Sequence, residues 1–150
     1  MLDMAVRLCL SPVTRPGFAM PAPKKYIDKR MANALIPKAQ AKGLMGGLTG
    51  AVAKQAMGGL WVGGNAWLTA DEVSFEPNAL NRHYHTNPGD LAASVRLADV
   101  TDVSWRKGVM TSIIDIETVD EKLSIRCYKS KAFAEAIRSA VAAAKSRPAA

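Results

Sequence analysis

Gly59-Leu-Trp-Val-Gly-Gly-Asn-Ala-Trp-Leu-Thr-Ala-Asp-Glu-Val-Ser-Phe-Glu-Pro-Asn78 is the stretch that decides the fold. Trp61, Trp67, Val73 and Phe75 belong to the aromatic and β-branched residues that suit a pleated, half-buried surface. Val73 and Phe75 alternate with Ser74 and Glu76, the period of a strand with one wet face. Ala70-Asp71-Glu72 between Thr69 and Val73 is a short polar break suited to a hairpin turn. Pro77-Asn78 ends the pairing, because proline brings no backbone donor to a ladder. Two strands and a tight turn are therefore expected.

Downstream the same period recurs. Ser94-Val95-Arg96-Leu97 alternates, Ala98-Asp99 makes a corner, and Val100–Trp105 follows with Val103 and Trp105 on one face. Arg106-Lys107-Gly108 is a basic turn. Ser112 to Thr118 places Ile114 and Ile116 on one face, with Asp115 and Glu117 on a face expected to be solvated. Leu123, Ile125 and Cys127 are the inward set of the next strand, with Ser124, Arg126 and Tyr128 facing out. From Ser130, a reasonable N-cap, Phe133, Ala136, Ile137, Ala140, Val141 and Ala144 repeat at helical spacing until Pro148. The pattern predicts a mainly β domain with one C-terminal helix: a bent antiparallel sheet or partly open barrel capped by an amphipathic helix. The sparse aromatics Trp61, Trp67, Phe75, Trp105, Tyr128 and Phe133 are expected to fill much of its core.

Two segments carry a family resemblance. Leu68-Thr69-Ala70-Asp71-Glu72-Val73-Ser74-Phe75-Glu76-Pro77 resembles the opening hairpin of GRAM and bacterial pleckstrin-homology-like (PH-like) domains. Val95-Arg96-Leu97-Ala98-Asp99-Val100-Thr101-Asp102-Val103 is similar to their next conserved corner. The resemblance covers about residues 57–142. It implies a PH-like fold and a module that recognises a lipid headgroup or a protein, with no universal ligand residues to carry over.

The remaining segments are less regular. Residues 1–23 hold Pro12, Pro16, Pro21 and Pro23 and read as an extended tail. Met4, Met20 and Met31 are alternative starts, so residues 1–19 need not belong to the native protein. From Lys24, the spacing of Ile27, Met31, Ala34 and Leu35 predicts a short amphipathic helix closed by Pro37. Gly43–Gly59 is glycine-rich, with GxxxG pairs at Gly43/Gly47 and Gly46/Gly50 that suit a close oligomer contact. The organisation expected is a basic arm and connector over 1–56, partly disordered or helical, and a PH-like domain over 57–147. Ala79 to Ala93 reads as a long loop.

The formal net charge is +7 and the pI about 9.7. Residues 1–42 contain eight Lys/Arg against Asp3 and Asp28, so nearly all of the excess lies in the arm. Lys24, Lys25, Lys29 and Arg30 beside the stripe of Ile27, Met31 and Leu35 suit an anionic membrane surface. In the globular part the basic groups available to an anion are Arg82, Arg106, Lys107, Arg126 and Lys129, with Arg106 and Lys107 on a strand-to-strand turn.

No enzyme signature is found: there is no phosphate-binding loop, nucleophile elbow or zinc-protease motif. His83-Tyr84-His85 has no third ligand at a useful spacing except Asp90, so no metal is expected, nor any cofactor. Cys9 and Cys127 suggest no disulfide framework, and the default compartment is cytoplasmic, with peripheral attachment to the inner face of the membrane as the variant of that reading. Nucleic acid is disfavoured because the strands show no aromatic–basic stacking stripe. The chain thus reads as a non-enzymatic binding or adaptor module for a protein partner or anionic lipid headgroups. The alternative is an assembly protein forming a homo-oligomer through its glycine-rich arm.

Overall fold

A computed structural model describes residues 25–39, 59–108 and 111–148. Within them the strands are β1 (Tyr26–Ile36), β2 (Leu60–Thr69), β3 (Glu72–Pro77), β4 (Ala93–Arg96), β5 (Asp102–Arg106), β6 (Ile113–Glu117) and β7 (Lys122–Cys127). The helices are α1 (Ala79–Tyr84) and α2 (Ser130–Ser146), with short 3-10 turns at Pro88–Leu91 and Leu97–Asp99. All strand pairs are antiparallel, in the order β4-β3-β2-β1-β7-β6-β5. The sheet is not closed into a barrel, and α2 is its single substantial helix. This β+α architecture is the one expected, and it is compatible with a PH-like fold.

The β2–β3 hairpin forms at the expected break. Thr69 Oγ1 accepts from the Asp71 and Glu72 amides at 3.2 and 3.1 Å, pinning the turn with its own side chain. Gly64, opposite Pro77, lies so close to β3 that a Cβ there would collide with the Glu76 carbonyl. Leu68, Val73 and Phe75 are fully buried, as the alternation requires.

One expectation is overturned. Residues 26–36 are not a helix but the central strand, paired with β2 along its whole length and with β7 over Ala32–Leu35. Ala32, Ala34 and Ile36 are buried, while Met31 and Asn33 point outward. Small alanines let β1 lie close under the core, and tertiary pairing outweighs their helix propensity. Among the described residues the sheet therefore begins at Tyr26. The glycine-rich residues 43–58 and Lys24 lie outside the described residues.

Leu123, Ile125 and Cys127 are buried with Phe133 and Ile137 of α2, and Val141 packs against the same cluster. The core is filled mostly by aliphatic side chains. Phe75 and Phe133 are its buried aromatics, but Tyr128 and Trp105 are exposed and Trp61 and Trp67 are half-buried on the outward face. Ser130 is not the N-cap of α2. Lys129 takes that position in the left-handed conformation (φ 51°), and the Ser130 hydroxyl instead accepts from Trp105 Nε1 at 3.0 Å. Together with Arg138 Nε donating to the Val103 carbonyl at 3.0 Å, this fastens α2 to the edge strand β5. Ala79–Ala93 is also more ordered than a loop, since Asn78 caps α1 by accepting from the Asn81 amide.

Candidate functional site

Among the described residues, Lys25, Lys29, Arg30, Arg82, Arg106 and Lys107 do not converge. Lys29 and Arg30 are consecutive on β1 and so project to opposite faces. Arg30 is held by Asp28, with Nη2–Oδ2 at 2.7 Å, and lies 5.7 Å from the Phe133 ring centroid. The hydrogen bond to Asp28 raises its pKa further against the opposing effect of desolvation. Arg82 on α1 donates through Nε to the Pro77 carbonyl at 3.0 Å, tying the helix to β3. Arg106, at the end of the far edge strand, is paired with Asp115 at 2.7 Å. Lys25 and Lys107 are exposed.

Asp115 corrects a second expectation. The wet face assigned to it is closed, and the residue is only 2% exposed. Its carboxylate accepts from Ser124 Oγ at 2.5 Å and Arg106 Nε at 2.7 Å, with Lys122 Nζ 3.4 Å away. Desolvation pushes the Asp115 pKa up, but the hydrogen bonds from Arg106 and Ser124 and the nearby Lys122 charge together hold it below the usual carboxylate value. Ser124 is buried with it, although the alternation of β7 placed it facing out. This network ties β5, β6 and β7 together.

The outward face of β1, β2 and β7 has a different character. Lys29 Nζ lies 4.2 Å from the ring centroid of Trp67, its cross-strand partner, and the Tyr26 ring meets Trp67 edge-on at 5.3 Å. Arg126 on β7 lies over Trp61 on β2, with its guanidinium carbon 3.8 Å from the ring centroid. Met31 is 83% exposed and Tyr128 81%, and Tyr26 and Ile27 are more than half exposed. None of the outward residues of β1, and none of their register partners on β2 and β7, is a carboxylate.

A cleft of about 250 Å³ opens on this face between Asn33, Gly63, Asn78, Thr111 and Arg126, with the exposed Met31 and Tyr128 at its margin. Arg126 is the residue on which it turns. It was visible in the sequence as one outward cation among several, and its pairing with Trp61 depends on β1 lying between β7 and β2. That arrangement also shows that aromatic–basic pairs do occur on the strands. Both indole rings are already covered by the protein's own cations, so they are not free platforms for bases.

The remaining chemistry is quiet. Burial pushes the Cys127 thiol up to about 11, the reverse of an activated nucleophile. His83 is exposed and His85 buried, one on α1 and one just after it, so their rings do not face a common point. Among the described residues no group of three His, Cys, Asp or Glu side chains is arranged to hold a metal. No helix among them is long and apolar enough to cross a membrane.

No family model matches the chain. No curated protein matches it either. Among solved structures, it is similar to the C-terminal domain of an unknown protein from Leishmania infantum, at 13% identity and a TM-score of 0.49, over 79% of this chain and 85% of that one.

Proposed function

We propose that the chain is a non-enzymatic, PH-like binding module of the GRAM type. It attaches reversibly to an anionic membrane surface through the outward face of β1, β2 and β7. The observation that carries this reading is the composition of that face. Lys29, Arg126 and Lys129 stand among the exposed Tyr26, Ile27, Met31 and Tyr128, with no carboxylate among the outward residues of β1 or their register partners. Cations over aromatic rings, beside exposed apolar side chains, suit the headgroup level of a bilayer. Each Lys or Arg near such a surface contributes about 1 kcal/mol, so these three provide roughly 3 kcal/mol, a weak and salt-sensitive attachment.

The reading places the anchor on the folded sheet, to which residues 26–36 contribute β1, whereas the charge count alone assigns it to a separate basic arm. Sedimentation of the full chain with phosphatidylserine-containing and neutral vesicles tests it. Binding to the anionic vesicles alone, falling with salt and weakened by Lys29→Glu and by Met31→Asp, is expected. Binding that ignores both substitutions would sink this assignment. Retention of an acidic protein but of neither vesicle would favour a protein partner instead.

A further inference from the structure

We propose that the cleft between Asn33, Gly63, Asn78 and Arg126 is an oxyanion site that takes a phosphate monoester, presented either as free phosphate or as a lipid headgroup. The lipid form rests on the membrane reading above, and the free form does not.

Arg126 lines the cleft. Its guanidinium lies over the Trp61 ring, which orients the plane and leaves the in-plane N–H groups as donors. Its Nε is buried and has no hydrogen-bond partner. Directly across the β1–β7 ladder stands Asn33, and across the β1–β2 ladder from Asn33 stands Gly63. Gly63 forms the floor. A Cβ built there would meet Asn81 Nδ2 at 3.0 Å, Asn33 Oδ1 at 3.1 Å and Asn78 Nδ2 at 3.6 Å, so three amide side chains converge above a position with no side chain of its own. Asn78 Oδ1 is already engaged by the Asn81 backbone and side-chain amides, both at 2.9 Å, which leaves its Nδ2 as a donor toward the cleft.

The lining thus offers donors from more than one direction and contains no carboxylate. Such a set calls for an anion with several acceptor oxygens. Donors from Arg126 on β7 and Asn78 at the cap of α1 approach from separate directions, with the Asn33 Oδ1 acceptor between them, which suits a tetrahedral group carrying a protonated oxygen better than the two coplanar oxygens of a carboxylate. At about 250 Å³ the cleft has room for one phosphate and the atoms it is attached to, with Met31 and Tyr128 flanking the entrance.

The test uses the full chain and two probes. Inorganic phosphate is titrated at constant ionic strength, followed by amide chemical shifts. Vesicles containing phosphatidic acid, a monoester, are then compared with phosphatidylserine vesicles of equal surface charge. Arg126→Lys keeps the charge but removes the fork. Gly63→Ala keeps every charge and fills the floor against side-chain ends that can yield by a few tenths of an ångström. Both variants are first checked for an unchanged melting temperature. Wild type is expected to bind phosphate with shifts centred on Asn33, Asn78 and Arg126, to prefer phosphatidic acid, and to lose at least tenfold in affinity in either variant. Phosphate binding without vesicle binding would retain the site in its free-anion form and remove the membrane reading. Vesicle binding that follows charge alone, equal in wild type and both variants, would overturn the site and leave the membrane reading standing. Absence of both would overturn both.

Discussion

Replacing Asp115 tests whether the closed polar network on the outer face of β5–β7 is structural. In Asp115→Ala the buried Ser124 hydroxyl loses its 2.5 Å acceptor, and Arg106 and Lys122 lose their shared partner. Removing one member of a fully buried ion pair costs about 3–5 kcal/mol. Here the Arg106 and Lys122 side chains remain about half exposed and regain water, so their share falls toward the about 1 kcal/mol or less of a surface pair. The stranded Ser124 hydroxyl adds about 1–3 kcal/mol. The expected loss for Asp115→Ala is therefore about 2–4 kcal/mol, with Asp115→Asn nearer the low end because an amide oxygen can still accept from Ser124. Urea unfolding at neutral pH, extrapolated linearly, measures both.

The pH dependence gives an independent reading. A carboxylate whose folded pKa is lowered contributes stability that is present above its unfolded value, about 3.9, and is lost as pH falls through the folded value. Asp115→Asn should accordingly show a shallower loss of stability in acid than the wild type. An Asp115→Ala variant within about 0.5 kcal/mol of wild type, with the same acid profile, would refute the reasoning.

Three further outcomes follow from the packing. Ile137→Asp places an unpaired charge at a fully buried position of α2 and should cost several kcal/mol by urea unfolding, whereas a near-unchanged melting temperature would show that α2 does not cap the core. Deleting residues 1–42 removes β1 from the centre of the sheet and should abolish cooperative unfolding, so a shortened chain that still melts cooperatively would contradict the observed topology. Gly64→Ala must displace β3, because its Cβ would also lie 2.8 Å from Phe75 Cζ; a drop in melting temperature far beyond that of Gly63→Ala is expected, and equal effects would refute the close approach.

What was legible from the sequence follows from where local pattern and tertiary pairing agree. The Thr69–Glu72 turn, the buried set of Val73, Phe75, Leu123 and Ile125, and the apolar stripe of α2 all repeat with one unambiguous period. β1 carries two. Ile27, Met31, Ala34 and Leu35 fit a helix, while Ala32, Ala34 and Ile36 fit a strand, and only the β2 and β7 partners decide between them. Asp115 looked solvated because alternation gives the direction of a side chain and not what covers it. The same limit hid the site. Arg126 was one outward cation among several, while Lys24, Lys25, Lys29 and Arg30 drew attention as a charge run. The alternation of β1 then turns Lys29 and Arg30 away from each other, and a cleft made of Asn33, Gly63, Asn78 and Arg126 from separate elements leaves no local motif.

The three tryptophans can report whether the outward face of β1, β2 and β7 meets the anionic surface. Trp61 and Trp67 lie on that face, and Trp105 lies on the edge strand β5 beside α2. The decisive measurement is quenching of tryptophan fluorescence by anionic vesicles carrying brominated lipid chains. The account predicts quenching that survives Trp105→Phe and is lost when Lys29→Glu and Met31→Asp are combined. Quenching that disappears with Trp105→Phe, or that is indifferent to Lys29 and Met31, would contradict it.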